Sequence, residues 1–127
     1  MARVLIVDKQ QRAEAFEEAL AEASYAVRSV EPNLAGDIVD ALDNVAVVAY
    51  LLGDDADPAT HDEMLETVLL KVVDTGVRGF VYERSAAGQA NSHVDHARET
   101  WHLSVTEVDP GVSPQQLVDA ANDALGL

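Results

Sequence analysis

The sequence predicts an α/β protein: a three-layer sandwich in which helices cover both faces of an open, parallel, five-stranded sheet. Short apolar runs alternate with amphipathic segments in the order βαβαβαβαβα. The first run is apolar between its charged ends and the third is the most hydrophobic of the five, as in central strands buried on both faces, whereas the last run is weaker and is expected near an edge. Thr75-Gly76 ends one amphipathic segment directly before an apolar run, which is typical of a helix feeding a parallel strand. The 127 residues fit one domain, 1–127.

The strands are predicted from runs of β-branched and aromatic residues that end at charged or turn-forming residues. The fourth run, for example, stops at the polar segment that begins with Glu83. These runs are Arg3–Asp8, Tyr25–Val30, Val45–Leu52, Val77–Tyr82 and Leu103–Val108.

The helices are predicted from apolar residues at helical spacing and from end signals. Asp57-Pro58 is typical of an N-cap followed by proline at the first helical position. Ser113-Pro114-Gln115-Gln116 is a capping box that begins the last helix. The other helices are predicted at Gln10–Ala23, Asp37–Asp43 and Ser92–Trp101, and the helix after Pro58 runs to about Asp74.

Composition excludes several classes of function. The net charge is −15, with 23 acidic and 8 basic residues, so neither nucleic acid nor an anionic membrane is expected as a partner. The absence of cysteine excludes disulfides and thiolate metal sites. No apolar stretch approaches the ~18 residues of a membrane span, and no signal-peptide pattern precedes the first strand, so we expect a cytoplasmic protein.

Several segments of the first 85 residues resemble the NAD(P)-binding Rossmann domain of extended and atypical short-chain dehydrogenases and epimerases. The most specific is TGVRGFVYERS, which is similar to the family pattern x-G-V-x-R-[FV]-V-Y-x-S-S. The other segments are RVLIVD, Val27-Arg28 followed by Glu31-Pro32, Gly36-Asp37-Ile38 and DNVAVVAYLLG. The resemblance implies a Rossmann-like fold with NAD or NADP as the possible cofactor. It implies a cofactor site at Asp8, Gln10, Arg28, Asp37, Gly53, Arg84 and Ser85.

Two departures from that family decide the predicted function. The turn from Asp8 to Ala13 contains no glycine, although a dinucleotide fold uses glycines there to approach the pyrophosphate. The catalytic Tyr-x-x-x-Lys pair is also missing, because neither Lys9 nor Lys71 has a tyrosine four residues before it. We therefore expect a degenerate, non-catalytic module that binds a small molecule or a protein. The alternative is a nucleotide-dependent enzyme that uses Ser85 with Arg84 or Tyr82.

The opening segment MARVLIVDKQQRAEAFEEAL also resembles the first strand and helix of response-regulator receiver domains. Asp8 would then stand at a metal-binding acid of the receiver. The receiver's phosphoacceptor aspartate should end the third strand, but VAVVAYLLGDD has its acids only after Gly53. The receiver lysine is absent from Leu103–Pro110. A receiver-like signalling domain without the phosphoacceptor is thus a further alternative. Strand order separates the two families: 3-2-1-4-5 fits the dehydrogenases and 2-1-3-4-5 fits receivers.

The remaining expectations concern metals and self-association. His93 and His96, and the acidic loop Asp54–Asp57, lack the spacing of a metal motif, so no metal site is predicted. We expect a homodimer, since an exposed apolar helix face would suit contact between copies of an acidic chain. The candidate faces carry Leu65 and Leu69, or Leu117 and Leu125.

Overall fold

Five parallel strands form the central layer of the protein. The computed structural model describes residues 2–8, 13–30, 38, 40–51, 58–75, 77–83, 92–109 and 111–126. The strands are β1 Arg3–Asp8, β2 Ala26–Val30, β3 Val47–Leu51, β4 Gly79–Glu83 and β5 Ser104–Val108. The helices within the described ranges are α1 Ala13–Glu22, α2 Pro58–Asp74, α3 Ser92–Thr100 and α4 Pro114–Ala124. Of the short helix predicted at Asp37–Asp43, Ile38 and Asp40 are helical.

The spatial order of the strands is β2-β1-β3-β4-β5, and every neighbouring pair is parallel. This is the 2-1-3-4-5 order of the receiver alternative and not the 3-2-1-4-5 order that the dehydrogenase resemblance implies. The two orders differ in the strand that pairs with β1 on the side away from β2. Here that strand is β3, which pairs with β1 in parallel from Val4–Val47 to Asp8–Leu51.

Each face of the sheet is covered by a separate pair of helices, which confirms the predicted three-layer α/β sandwich. One face packs against α2 and α3, with Leu5, Val48 and Phe80 among its buried strand residues. The opposite face, which includes Ile6 and Ala49, packs against α1 and α4. Because successive strand residues point to opposite faces, a strand buried on both sides is apolar at nearly every position, as the central strand β3 is.

Local signals predicted several element boundaries correctly. Helix α2 begins at Pro58 and ends at Asp74. Helix α4 begins with the predicted capping box: the Ser113 hydroxyl accepts the Gln116 backbone N–H at 3.2 Å, and the Gln116 side-chain oxygen accepts the Ser113 N–H at 2.9 Å. Strand β4 begins two residues later than predicted, because the N–H groups of Arg78 and Gly79 both donate to the Ala46 carbonyl as the chain enters the sheet. The predicted cap Asp57 and the break at Gly76 lie outside the described residues.

Candidate functional site

The carboxyl ends of the strands form the edge at which open α/β sheets bind ligands. In this protein the last residues of four adjacent strands stand in one row: Asp8 of β1, Leu51 of β3, Glu83 of β4 and Val108 of β5. They belong to the face that packs on α1 and α4, since they follow Ile6, Ala49 and Val81 at alternate positions. Within the part of the chain that the structure describes, a site at this edge would be built on these four side chains.

Two carboxylates in this row are buried. Asp8 is 6% exposed and Glu83 is 1% exposed, and they are the buried charged side chains of the described part of the chain. One Glu83 carboxylate oxygen accepts the backbone N–H of Gly111 at 3.1 Å. Gly111 has a φ of +77°, a conformation that glycine adopts without strain. Glu83 therefore links the end of β4 to the connection between β5 and α4.

Leu51 separates these two carboxylates. It pairs with Asp8 across β1 and β3, it ends β3, and it is fully buried. The nearest acids that follow it in sequence, Asp54 and Asp55, lie outside the described residues. Since neighbouring strands are about 4.8 Å apart, Asp8 and Glu83 stand on the order of 10 Å from each other across β3. Within the described ranges, no group of three or more acidic or histidine side chains is placed to hold a metal ion.

Arg28 lies in the middle of β2 rather than at its end. It pairs with Leu5, three register positions before Asp8, and by strand alternation it projects from the opposite face. Its guanidinium donates to the Ala41 carbonyl at 3.0 Å, so it braces the chain that leads into β3. The structure therefore does not bring Arg28 and Asp8 together. The other predicted site residues lie outside the described residues, and the cofactor role of the whole set stays a prediction: Gln10, Asp37, Gly53, Arg84 and Ser85.

An aromatic column lies on the face of the sheet that packs on α2 and α3. The rings of Tyr50 and Phe80 stack at 6.0 Å between centroids, and those of Tyr50 and Tyr82 at 6.4 Å. Burial raises the pKa of the Tyr50 hydroxyl, and the neighbouring Tyr82 raises it further. Both tyrosines are buried, so they act as packing residues of the core. Trp101 is partly buried against the same core.

The helix faces predicted as dimer contacts are part of the protein's own core. Leu65, Leu69 and Leu117 are all at most 1% exposed. That part of the prediction is wrong, because the apolar stripe of each helix packs on the sheet. The large hydrophobic side chains that are exposed in the described residues are Leu70 and Val73, both on α2. Sequence reasoning missed them, since they lie beside the stripe rather than in it.

Comparison with known proteins identifies the fold. No protein-family profile and no curated protein sequence matches the chain. Among solved structures, a CheY-like response regulator receiver domain from Methanospirillum hungatei superposes with a TM-score of 0.67 at 16% identity, over 98% of this chain and 94% of that one. A response regulator receiver protein from Burkholderia phymatum gives 0.66 at 12% identity, over 100% and 97%. This chain has the receiver fold.

The predicted relation to dehydrogenases and epimerases was wrong. The receiver-like domain, which was given only as an alternative, is the better prediction. The two structures that superpose above are receivers, and the strand order agrees with them. Three of the misleading segments, RVLIVD, DNVAVVAYLLG and TGVRGFVYERS, contain the buried strands β1, β3 and β4, and both folds require such strands at those places. A de novo designed Rossmann 2x3 fold protein also superposes, with a TM-score of 0.58 at 16% identity over 98% of this chain and 89% of that one. The likeness to receivers thus establishes architecture, and function must be argued from the site.

Proposed function

We propose that this chain is a receiver-like domain that binds a protein partner and acts without being phosphorylated. The observation that supports this most directly is the identity of the last residue of β3, which is Leu51. It ends β3 beside Asp8, where the receiver resemblance places the phosphoacceptor aspartate. A leucine side chain offers no nucleophile, whereas an aspartyl phosphate requires an attacking carboxylate.

The groups around Leu51 also favour a structural role for this edge. Glu83 is buried and accepts a backbone hydrogen bond from Gly111, so its carboxylate holds the β5–α4 connection. Strand β5 and Asp109 contain no lysine to neutralise a phosphoryl group. A hard cation prefers six or more oxygen ligands, or several waters with one or two carboxylates. The two buried carboxylates stand on opposite sides of β3, which favours separate structural roles.

A fold that keeps its core and lacks its reactive group still offers surfaces for docking. Receiver domains act through protein partners, and the net charge of −15 disfavours nucleic acid here. None of the described helices is long and apolar enough to span a membrane. The partner is therefore inferred to be a protein. The predicted homodimer and small-molecule ligand stay predictions; light scattering at micromolar protein tests the first.

The test is phosphorylation with acetyl phosphate and Mg²⁺, followed by intact-mass spectrometry. We expect the mass to stay unchanged, while a phosphorylatable receiver treated in parallel gains one phosphoryl group. A phosphoryl adduct on any aspartate, including Asp54 or Asp55, would overturn the proposal.

A further inference from the structure

A small groove between α2 and α3 is lined in part by the exposed side chain of Leu70, and Val73 follows Leu70 one helical turn later on α2. Leu70 is 47% exposed and Val73 is 40% exposed, and no other large hydrophobic residue in the described ranges is exposed. Their i, i+3 spacing places them side by side along α2. Exposing two neighbouring aliphatic side chains costs solvation free energy that a partner would recover.

The groove beside them has an apolar and aromatic lining. Its volume is about 110 Å³, and it is lined by Glu66, Leu69, Leu70, His96 and Trp101. A site for a drug-sized small molecule occupies roughly 300–1,000 Å³. The groove is thus suited to a single inserted side chain rather than to a whole ligand.

The end of α3 sets the position of Trp101 in this groove. The N–H groups of Trp101 and Leu103 both donate to the Ala97 carbonyl, at 3.1 and 3.3 Å, and His102 between them has a φ of +54°. This turn directs the chain back onto the core, against which Trp101 packs. The His96 ring meets the indole edge-on, with centroids 5.0 Å apart. The aromatic wall is therefore held by the backbone and by a ring contact.

The charge around the groove indicates what kind of partner would fit. Helices α2 and α3 carry six acidic residues and two basic ones: Asp62, Glu63, Glu66, Asp74, Asp95 and Glu99, against Lys71 and Arg98. Among the side chains that the structure describes on these helices, three acids are exposed, Glu66, Asp74 and Glu99, against one exposed base, Lys71, and a surface with this balance attracts a cationic segment. It repels a second copy of this chain, which carries the same charges and a net charge of −15.

We propose that the α2–α3 groove docks a basic amphipathic helix of a partner protein. An aliphatic side chain of that helix would enter between Leu69 and Trp101, its neighbours would cover Leu70 and Val73, and its lysines or arginines would face the acidic rim. This is the helix-in-groove mode of recognition. The inference rests on the proposed function as a protein-binding domain and names the surface and the chemistry of the partner.

Trp101 is the single tryptophan of the chain, so its fluorescence reports on this groove. The probe is a tryptophan-free synthetic peptide of about 18 residues, with leucines at i, i+3, i+4 and i+7 and lysines on the other face. We expect a saturable spectral change at low salt that weakens as salt is added. The Leu70→Ser/Val73→Ser variant should bind roughly tenfold more weakly or worse, because the apolar contact is lost.

The matched control is Ala15→Ser/Ala21→Ser, which changes two exposed positions on α1 and should leave binding unchanged. Circular dichroism verifies that both variants are folded. Equal affinity of the native chain and the Leu70→Ser/Val73→Ser variant would overturn the proposal, since binding would then follow net charge alone. An unchanged Trp101 spectrum on addition of the peptide would also overturn the proposal. A dimer of the native chain that the Leu70→Ser/Val73→Ser variant dissociates would overturn it as well, because the occupant of the groove would then be a second copy. A phosphoryl adduct in the earlier experiment would overturn the proposed function but not this surface.

Discussion

Gly79, the first residue of β4, is the position at which the structure makes its sharpest energetic prediction. A Cβ atom added there would lie 2.7 Å from both the Cβ and the carbonyl oxygen of Ala124, and 3.0 Å from its carbonyl carbon. Ordinary contacts of a Cβ begin at 3.4 Å. The Gly79→Ala substitution therefore requires α4 or β4 to move by about 0.7 Å.

Two opposing effects decide the sign of this substitution. Replacing glycine restricts the unfolded chain and, without strain, stabilises a protein by about 0.4–1 kcal/mol. Overpacking a close contact costs about 1–3 kcal/mol, and two of the three atoms in the way here belong to the backbone at the end of α4. The overpacking term is larger, so we expect a net loss of about 1–2 kcal/mol. For a chain of this size that corresponds to a fall of roughly 4–8 °C in melting temperature.

Urea denaturation followed by circular dichroism measures this difference in unfolding free energy. The double variant Gly79→Ala/Ala124→Gly removes the Cβ contact and leaves the carbonyl contact, so it should recover part of the loss caused by Gly79→Ala. This recovery appears as a coupling energy between the two sites. A Gly79→Ala protein as stable as the native chain would refute the close packing of α4 on β4.

Two further predictions concern buried polar groups. Glu83→Ala should lower the unfolding free energy by about 2 kcal/mol, because it removes the acceptor of the Gly111 N–H and leaves a cavity. Glu83→Gln keeps an acceptor oxygen and should cost less in the same urea experiment; equal losses would contradict the hydrogen-bond argument. Since the folded-state pKa of Tyr50 is raised, its contribution to stability is complete below the unfolded pKa of 10.0 and is lost as the pH rises above it. Urea denaturation between about pH 9 and pH 11 should therefore show a smaller alkaline loss for Tyr50→Phe than for the native chain, and identical slopes would show that Tyr50 is not the group responsible.

The candidate site was less predictable than the elements that carry it. Asp8 was expected at the end of the first strand, and it is there. The burial of Glu83 was not predicted, because an acid directly after a strand usually faces water, and its acceptor role depends on Gly111, 28 positions away. The sequence did carry one signal for this burial. Phe80 and Val81, which precede the end of β4, are both apolar, and consecutive apolar residues indicate a strand that is buried on both faces.

The sequence by itself determined the elements of this protein and their class. Hydrophobic spacing set the inward stripe of α2, and a capping box set the start of α4. These signals are local, since each depends on residues a few positions apart. The tertiary structure decided the strand order, the separation of Asp8 from Arg28 and the exposure of Leu70 and Val73. Each of these depends on which distant element becomes a neighbour. Right-handed crossovers can place β3 on either side of the β1–β2 pair, so the choice is made by long-range packing that no short segment encodes.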